Sequence, residues 1–196
     1  YKQLRFFSLM QIVKHILNND KVYDFAECGC WKGHSSFIIS KLIVENNKDI
    51  DFHIFDSFED GLSVSNINDG DFFYRDESTK KRISKRDFYS NEQFVRNEVL
   101  KEFNFVKIYP GWIPEKFNLI KDKKSSFIHI DVDLYNPTMD SLKFFYSRLQ
   151  EGGAILCDDY NISHYPGAKK AWDEFFKDKE YTFFYESPLG GCFIIK

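Results

Sequence analysis

The stretch Glu27–Ser36, with the sequence ECGCWKGHSS, decides the fold that we predict for this chain. It follows residues 22–28, an apolar run typical of a buried strand, and it leads into a helical pattern over residues 35–45. Gly29 and Gly33 allow the backbone to turn tightly and to approach a ligand closely. The free N–H groups at the start of the following helix suit such a turn for cradling a nucleotide.

The spacing of this turn narrows the kind of nucleotide site that it can form. Gly-x-x-x-Gly departs from the dinucleotide spacing Gly-x-Gly-x-x-Gly, and no Lys-Ser or Lys-Thr pair of a P-loop follows it. An ordinary strand-to-helix turn that needs small residues is the alternative. The motif alone therefore does not decide between a binding site and a structural turn.

Helical and strand-like segments alternate along the rest of the chain, which predicts an α/β protein whose parallel sheet carries helices on both faces. The last two strands, separated by Pro188–Gly191, predict an antiparallel hairpin at the edge of the sheet. Ser90, followed by Gln93, is predicted to cap the third helix. The predicted helices are residues 4–17, 35–45, 90–102, 138–149 and 168–176, and the predicted strands are residues 22–28, 51–56, 105–109, 126–131, 154–157, 182–185 and 192–195, with Gly152-Gly153 as a break before residue 154.

The composition and charge of the chain exclude several classes of protein. The chain is 43% hydrophobic and 29% charged, as expected for a globular protein, and its net charge of −3 argues against a nucleic-acid partner. No apolar run reaches the roughly 20 residues of a membrane span, and the first residues do not resemble a signal peptide. Cys28, Cys30, Cys157 and Cys192 fit no zinc spacing, so we expect reduced thiols in a cytoplasmic protein.

No repeat, low-complexity tract or linker interrupts the pattern, so residues 1–196 are expected to form one domain. Residues 1–20 are expected to contribute an N-terminal helix that caps the sheet or packs on a second copy in a homo-oligomer. The polar residues 60–90 lack a clear period and are expected to form a loop that closes over a substrate.

A second cluster, His53–Ser57, places Asp56 at the end of the second predicted strand. An acid there, roughly twenty to thirty residues after a glycine turn, can accept hydrogen bonds from the diol of a ribose. A strand-end aspartate is also a common turn former. The two motifs together support a nucleotide site more strongly than either does alone, because Asp56 and the turn of Glu27–Ser36 follow successive strands at the expected spacing.

A third cluster of acids follows two later strands. Residues 128–133 (IHIDVD) end one strand, and residues 155–160 (ILCDDY) end the next. The carboxyl ends of parallel strands face one crevice, so three or four carboxylates gather there if the strands are neighbours. A hard divalent cation, most simply magnesium, relieves their repulsion. The alternative is that these acids cap helices or form salt bridges at the surface. In that case Asp158 and Asp159, which directly follow an apolar strand, would cost free energy because no partner compensates their charge.

With these residues in place, the chain resembles the macrocin O-methyltransferase family of cation-dependent sugar methyltransferases, over roughly residues 20–178. Catechol-type O-methyltransferases are similar at the same strand ends. The motifs that carry the resemblance are, in order, Glu27–Ser36, Phe55–Leu62, Gly111-Trp112, Asp131–Asp140, and Gly152-Gly153 followed by Asp158–Tyr160.

The resemblance implies a three-layer, Rossmann-like class I methyltransferase fold with a mostly parallel seven-stranded sheet. It also implies S-adenosylmethionine as the methyl donor and magnesium as a cofactor. The residues that it implies for donor binding are Glu27, Gly29, Gly33 and Ser35 along the methionine part, Asp56 and Ser57 at the ribose, Trp112 near the adenine, and Asp131.

The same resemblance implies metal ligands and a reaction. Asp131, Asp158 and Asp159 match the family's metal ligands, with Asp133 supporting them from outside. The implied reaction is an in-line methyl transfer to a hydroxyl, for which a metal lowers the hydroxyl pKa and a general base takes the proton. The implied acceptor is a hydroxyl of a sugar, in a natural product or in a surface glycan, and a small phenol stays open.

The general base is where this sequence departs from its relatives. Sugar-modifying members carry a His in the loop after the Asp-Ser-Phe motif, and residues 61–90 contain none. Catechol-type enzymes carry a Lys at the position that Leu134 occupies here. His164 and Asp131 are the candidate catalytic residues, and an acid of residues 69–76 is a further one.

Two other functions fit part of the sequence. Asp131-Val132-Asp133 is a strand-end Asp-x-Asp, as in metal-dependent glycosyltransferases that bind nucleotide sugars, but that interpretation leaves residues 27–36 and the pair Asp158-Asp159 without a role. The absence of the general base that the related enzymes carry also fits a protein that binds the methyl donor but does not catalyse methyl transfer. Binding of S-adenosylmethionine against binding of a nucleotide sugar separates these classes.

Overall fold

A computed structural model of the protein describes residues 2–62, 88–163 and 165–196, with the side chains of residues 2 and 3 left out. Its helices are α1 (Lys2–Leu17), α2 (His34–Glu45), α3 (Glu92–Phe94, continued by the π-helical turn Val95–Val99), α4 (Tyr135–Tyr146) and α5 (Pro166–Phe176). Short 3₁₀ helices span Phe58–Asp60 and Glu115–Ile120. The strands are β1 (Asp24–Cys28), β2 (Phe52–Asp56), β3 (Val106–Pro110), β4 (Ser125–Ile130), β5 (Leu149–Cys157), β6 (Phe183–Glu186) and β7 (Cys192–Ile195).

The strands form one seven-stranded sheet in the order β3-β2-β1-β4-β5-β7-β6. The pairs from β3 to β5 are parallel, whereas β7 runs antiparallel to both β5 and β6. This arrangement confirms the predicted α/β class, the mostly parallel sheet and the antiparallel edge hairpin. Because β1 to β5 are parallel, their carboxyl ends meet at one edge of the sheet.

Successive residues of each central strand face opposite layers of the molecule. Phe25 and Phe127 pack into a core shared with α1 and α2, whereas Ala26 and Ile128 pack into a second core shared with α4 and α5. The period of two that separates them is the geometry of a pleated strand. The sheet is therefore covered on both faces, as the continuous apolar runs of its strands require.

The fifth strand is longer than the predicted residues 154–157. Gly152 and Gly153 do not break the chain there but lie inside β5. Gly152 donates its N–H to the carbonyl of Lys196, and Lys196 donates to the carbonyl of Gly153, both at 2.9 Å. Backbone pairing with Lys196 thus keeps the two glycines in a strand, although a glycine pair in a sequence usually indicates a turn. Similarly, the helix predicted over residues 138–149 is α4, three residues earlier.

The predicted cap of the third helix was wrong. Asn91, not Ser90, is the N-cap, and its side chain accepts the N–H of Phe94 at 2.8 Å. The helix predicted over residues 90–102 is also shorter and ends in the π-helical turn Val95–Val99. Ser90 is buried, and its own N–H donates to the carbonyl of Phe58 at 3.3 Å.

The four cysteines are free and buried, as predicted for reduced thiols. Burial raises the pKa of the Cys28 thiol to about 12. Among the residues that the structure describes, no helix combines the length and the apolar character needed to cross a membrane.

Candidate active site

A cavity of about 480 Å³ opens at the carboxyl ends of the parallel strands. Its volume falls within the roughly 300–1,000 Å³ of small-molecule sites. It brings together residues from all three of the clusters described above, which lie far apart in the chain. The predicted site residues that line it are Gly29, Ser35, Asp56, Ser57, Trp112, Asp131, Asp158 and Asp159.

Gly29 lets the turn after β1 pass directly over the end of β4. Its φ is +83°, and a Cβ at this position would lie 1.8 Å from the carbonyl oxygen of Asp131. Backbone hydrogen bonds of 2.8 Å join the strand ends, from the N–H of Asp131 to Cys28 and from the N–H of Gly29 to Phe55. The glycine is thus needed both for its conformation and for this close approach.

Asp56 is held rigidly beneath the glycine turn. Its carboxylate accepts the backbone N–H groups of Cys30 at 2.6 Å, Trp31 at 2.9 Å and Phe58 at 2.6 Å. Burial raises the pKa of Asp56, and these hydrogen bonds act in the opposite direction without cancelling that rise. The neighbouring Ser57 hydroxyl donates to the carbonyl of Gly61 at 2.6 Å. Asp56 therefore presents a fixed acceptor at the cavity wall.

The acids after β4 and β5 form a cluster at the floor of the cavity. Burial, together with the charges of Asp158 and Asp159, raises the pKa of Asp131 well above its ordinary range. Burial and the charge of Asp158 also raise the pKa of Asp159 to about 6. Asp159 accepts the N–H of Asp133 at 2.8 Å, which makes Asp133 a neighbour of the cluster through its backbone. The cluster carries more negative charge than its surroundings neutralise.

Glu27 lies behind this cluster rather than on the cavity surface. It is fully buried, pairs across the sheet with His129, and accepts hydrogen bonds from the Ser36 hydroxyl and from Nδ1 of His129, the latter at 2.7 Å. The predicted contact of Glu27 with a bound donor therefore stays a prediction. The same holds for Gly33, the N-cap of α2, which does not line the cavity.

His129 itself lines the cavity and has only one of its ring nitrogens engaged. The ring is 2% exposed, and its Nε2 has no hydrogen-bond partner among the described residues. Burial would lower the pKa of His129, but the hydrogen bond to Glu27 and the charges of Asp158 and Asp159 raise it. Although residue 129 was part of the quoted motif IHIDVD, sequence reasoning gave it no role.

Arg5 is a member of the site that the sequence did not indicate. Its Nε donates to the Asp158 carboxylate at 3.1 Å, and its terminal nitrogen donates to the Asp158 carboxylate and to its carbonyl at 2.7 Å. The same nitrogen lies 3.9 Å from Asp159. Burial opposes the charge of the guanidinium, yet these acids raise the pKa of Arg5. Phe6 and Leu9 of the same helix also line the cavity, so α1 forms one of its walls.

Aromatic side chains form another part of the wall, among them Trp31, Phe88 and Tyr165. Trp31 and Phe88 meet edge to face with their ring centroids 6.2 Å apart, and Phe88 lies 5.9 Å from Tyr165. His34, at the start of α2, lines the cavity as well. The candidate base His164 and most of the predicted lid, residues 63–87, lie outside the described residues, together with the acids of residues 69–76.

The sheet order and the cavity at its carboxyl edge define a class I methyltransferase fold. Solved structures of this fold align over nearly the whole chain. The O-methyltransferase NovP aligns with a TM-score of 0.76 and 22% identity, and the calicheamicin methyltransferase CalS11 aligns with a TM-score of 0.74 and 16% identity. Each alignment covers 98% of this chain and 79% of the other.

Residues 2–183 match the family described as macrocin-O-methyltransferase (TylF), and the chain belongs to this family. Demethyldecarbamoylnovobiocin O-methyltransferase of Streptomyces niveus is 24% identical over 173 residues, which are 86% of this chain. A tetracenomycin 4'-O-methyltransferase of Streptomyces olivaceus, acting on a dimethoxyrhamnosyl derivative by its name, is 27% identical over 160 residues, which are 79% of this chain. The chain spans 63% and 59% of the lengths of these two relatives.

Proposed function

We propose that this chain is an O-methyltransferase that uses S-adenosylmethionine and methylates a hydroxyl of a sugar in a natural product or a surface glycan. The single observation that carries the proposal is the cavity in which the Gly29 turn, Asp56 and the acid cluster open side by side. The proposal draws support from the relatives, whose names describe methylation of novobiocin and tetracenomycin precursors. A rhamnosyl glycoside is therefore a suitable first acceptor.

The donor would bind along the wall formed by the turn after β1. Ser35 and Gly29 line the cavity there, so we expect them to contact the methionine part. Asp56, already oriented by three backbone N–H groups, keeps one of its roughly four acceptor sites for a ribose hydroxyl. Trp112 lines the same cavity and offers an aromatic face for a base.

The acceptor hydroxyl would lie over the acid cluster, where a divalent cation fits the residues present. The pKa values of Asp131 and Asp159 are raised, and a buried nitrogen of His129 has no partner, so a cation would relieve both costs. The family resemblance implies magnesium held by Asp131, Asp158 and Asp159. When bound, such a cation lowers the pKa of a hydroxyl that coordinates it.

Among the described residues, we propose Asp131 as the one that takes the proton. The acceptor oxygen would form a bond to the methyl carbon while the carbon–sulfur bond breaks and its electron pair returns to sulfur, which loses its positive charge. The hydroxyl proton must leave at the same time. Asp131 lines the cavity among the acids, so its carboxylate lies in the region where the acceptor hydroxyl would bind.

Titration calorimetry of S-adenosylmethionine into the full chain tests the donor site. We expect saturable binding at micromolar concentrations, and a loss of affinity of at least about tenfold in Asp56→Ala because a charged hydrogen-bond acceptor is worth about 1.5–3 kcal/mol. Asp60→Ala is the control, since Asp60 is an exposed acid four residues away. Transfer of a labelled methyl group to a rhamnosyl glycoside then tests the reaction.

A nucleotide sugar separates the proposed reaction from glycosyl transfer. If the chain binds a uridine nucleotide sugar only with metal and does not bind S-adenosylmethionine, the methyltransferase proposal is wrong and Asp131-Val132-Asp133 is a glycosyltransferase motif. If it binds S-adenosylmethionine but transfers no methyl group to sugar or phenol acceptors, donor binding without catalysis describes it better.

A further inference from the structure

The carboxyl-edge cluster contains a nitrogen donor in addition to its carboxylates. A ring nitrogen of His129 and carboxylate oxygens of Asp131 and Asp158 lie within 4.8 Å of one another. Ligands of one octahedral metal ion, each about 2.1 Å from it, lie about 3.0–4.2 Å apart, so modest side-chain adjustment would let all three bind the same ion. The set predicted from the sequence contained carboxylates alone.

The free nitrogen of His129 is its Nε2, because Nδ1 is taken by Glu27. In its neutral form a ring that donates from Nδ1 to a carboxylate carries its lone pair on Nε2, and a bound cation would favour this form over the protonated one. Nε2 is fully buried and has no hydrogen-bond partner in the described part of the chain, and a ring nitrogen of the same residue lies within 4.8 Å of carboxylate oxygens of Asp131 and Asp158. A buried acceptor next to anions costs free energy unless a cation or a donor meets it.

The surroundings of His129 are those of a prepared metal ligand. Histidines that bind metals nearly always donate their second N–H to a carboxylate or a carbonyl, which orients the ring and raises its basicity. Glu27 does this here, and the Ser36 hydroxyl holds Glu27 in turn. Because β1 and β4 pair with Glu27 opposite His129, the sheet itself fixes this arrangement.

We propose that Nε2 of His129 is a ligand of the cation at this site, together with Asp131 and Asp158, and that the site prefers a first-row transition ion such as Mn²⁺ to Mg²⁺. Imidazole nitrogen binds such ions better than it binds magnesium, which prefers oxygen. The inference deepens the proposed function, because this cation site is the one placed next to the acceptor. It assigns His129 and Glu27 roles that the predicted three-aspartate set does not contain.

Arg5 acts as a competitor of the cation in this arrangement. Its guanidinium neutralises Asp158 from α1, so an ion that binds Asp158 must displace it or share the carboxylate. Arg5 does not satisfy Nε2 of His129, which has no hydrogen-bond partner among the described residues. A guanidinium can only donate hydrogen bonds, whereas a metal ion accepts electron pairs from both the nitrogen and the carboxylates.

Spectroscopy on the unaltered chain tests the ligand directly. Mn²⁺ bound to the full chain, without donor or acceptor, is examined by electron spin-echo spectroscopy for the coupling of a coordinated nitrogen. We expect imidazole ¹⁴N couplings that change to ¹⁵N couplings when the protein is produced with ¹⁵N-histidine. This measurement requires no substitution, and its result does not depend on methyl transfer.

A substitution assigns the nitrogen among the five histidines of the chain. His129→Gln should remove the nitrogen coupling and weaken Mn²⁺ binding by about tenfold or more, as disturbance of the ligand shells of metal sites does. Mg²⁺ binding should change much less, so the preference for Mn²⁺ should shrink. His53→Gln is the matched control, since His53 is equally buried beside acids but has both ring nitrogens within hydrogen-bond distance of partners.

Two outcomes would overturn the inference. Mn²⁺ that binds without any histidine nitrogen coupling, and equally well in His129→Gln, is held by carboxylates alone. A chain that binds no Mn²⁺ even in Arg5→Gln has no cation site. Neither result refutes methyl transfer, which is measured separately with chelator present. Conversely, nitrogen-ligated Mn²⁺ in a chain that does not bind S-adenosylmethionine would refute only the proposed methyltransferase.

Discussion

Two clusters of histidine and aspartate lie at opposite edges of the same sheet, and they differ in how completely they are partnered. At the amino edge, His53 lies beside Asp24 and Asp51. At the carboxyl edge, His129 lies beside Asp131 and Asp158. Each cluster has the composition of a metal site. Composition alone therefore does not distinguish a structural cluster from a functional one.

The amino-edge cluster is balanced by its own neighbours. His53 lies 3.2 Å from Asp24 through Nε2 and 3.1 Å from the Tyr109 hydroxyl through Nδ1. Lys123 lies 3.1 Å from Asp24 and 3.6 Å from Asp51. Every donor and acceptor of the histidine ring is satisfied, and a lysine neutralises the acids. We infer that this cluster stabilises the fold and needs no ion.

The carboxyl-edge cluster is left unbalanced. Three aspartates share the cation Arg5, two of them have raised pKa values, and His129 keeps an unpartnered nitrogen. Excess negative charge and a free lone pair at the wall of a cavity are costs that a bound ligand would offset. The two clusters thus differ in whether their charges are neutralised and their ring nitrogens have hydrogen-bond partners. Four experiments test this difference.

The largest effect is expected from Gly29→Ala. The added Cβ would overlap the Asp131 carbonyl at 1.8 Å in a conformation with positive φ, so we expect a loss of about 3 kcal/mol or more in the free energy of unfolding, with loss of cation binding. Urea denaturation measures it. Gly152→Ala is the control, because φ is +74° but no atom lies within 4 Å, and it should cost only about 1–2 kcal/mol. Equal costs at the two positions would show that the strand ends are not tightly packed.

The two clusters should respond to pH with opposite signs. The folded state raises the pKa of Asp159 to about 6, so it holds more protons than the unfolded chain between about pH 4 and 6. The contribution of Asp159 to stability is therefore present at low pH and is lost as the pH rises through this window. With chelator present, Asp159→Asn should remove a decrease on the order of 3 kcal/mol over that range.

At the amino edge, Asp24 should change the stability with pH in the opposite direction. Burial would raise its pKa, but hydrogen bonds from His53 and Lys123 lower it below the ordinary value. Its contribution is present above about pH 4 and is lost as the pH falls through its lowered pKa. Thermal melting from pH 3 to pH 7 in Asp24→Asn and Asp159→Asn measures both signs. If the two variants change the pH profile in the same direction, the proposed contrast is wrong.

A smaller effect is expected from Arg5→Gln. Without added metal, the loss of a partly buried pair with Asp158 should lower stability by about 1 kcal/mol. Mn²⁺ should bind up to about tenfold more tightly, because each 1.4 kcal/mol of lost competition is worth a factor of ten. Arg96→Gln, which breaks an exposed pair with Glu92, is the control and should leave the affinity for Mn²⁺ unchanged. Weaker Mn²⁺ binding in Arg5→Gln would show that Arg5 supports the site instead.

The smallest effect is expected at the amino edge. Lys123 is half exposed, so Lys123→Gln should cost about 0.5 kcal/mol at moderate salt and less at high salt. Neither this variant nor the unaltered cluster should bind Mn²⁺ with a nitrogen coupling from His53. Detection of such a coupling would remove the distinction between the clusters. Denaturation at two salt concentrations and the same spectroscopy measure both points.

Much of this architecture could be predicted from the sequence because its signals are local. The apolar runs of the strands led to the sheet, the break at Pro188–Gly191 led to the edge hairpin, and the motifs at the strand ends led to the family. Each of these signals acts within a few residues. The same runs place Asp56, Asp131, Asp158 and Asp159 at strand ends, and the structure brings these acids to one cavity. The assignment of Ser90 as a cap failed because two neighbouring polar residues carry nearly the same local signal.

What the sequence determined by itself was the alternation of strands and helices and the types of residue at the strand ends. Only the tertiary structure decided which of these residues remain unsatisfied. Arg5 and Asp158 are separated by 153 positions, and Glu27 and His129 by 102, so their pairing follows from the stacking of α1 and the order of the strands. No local pattern encodes such contacts, because they form only when the whole sheet closes the distance.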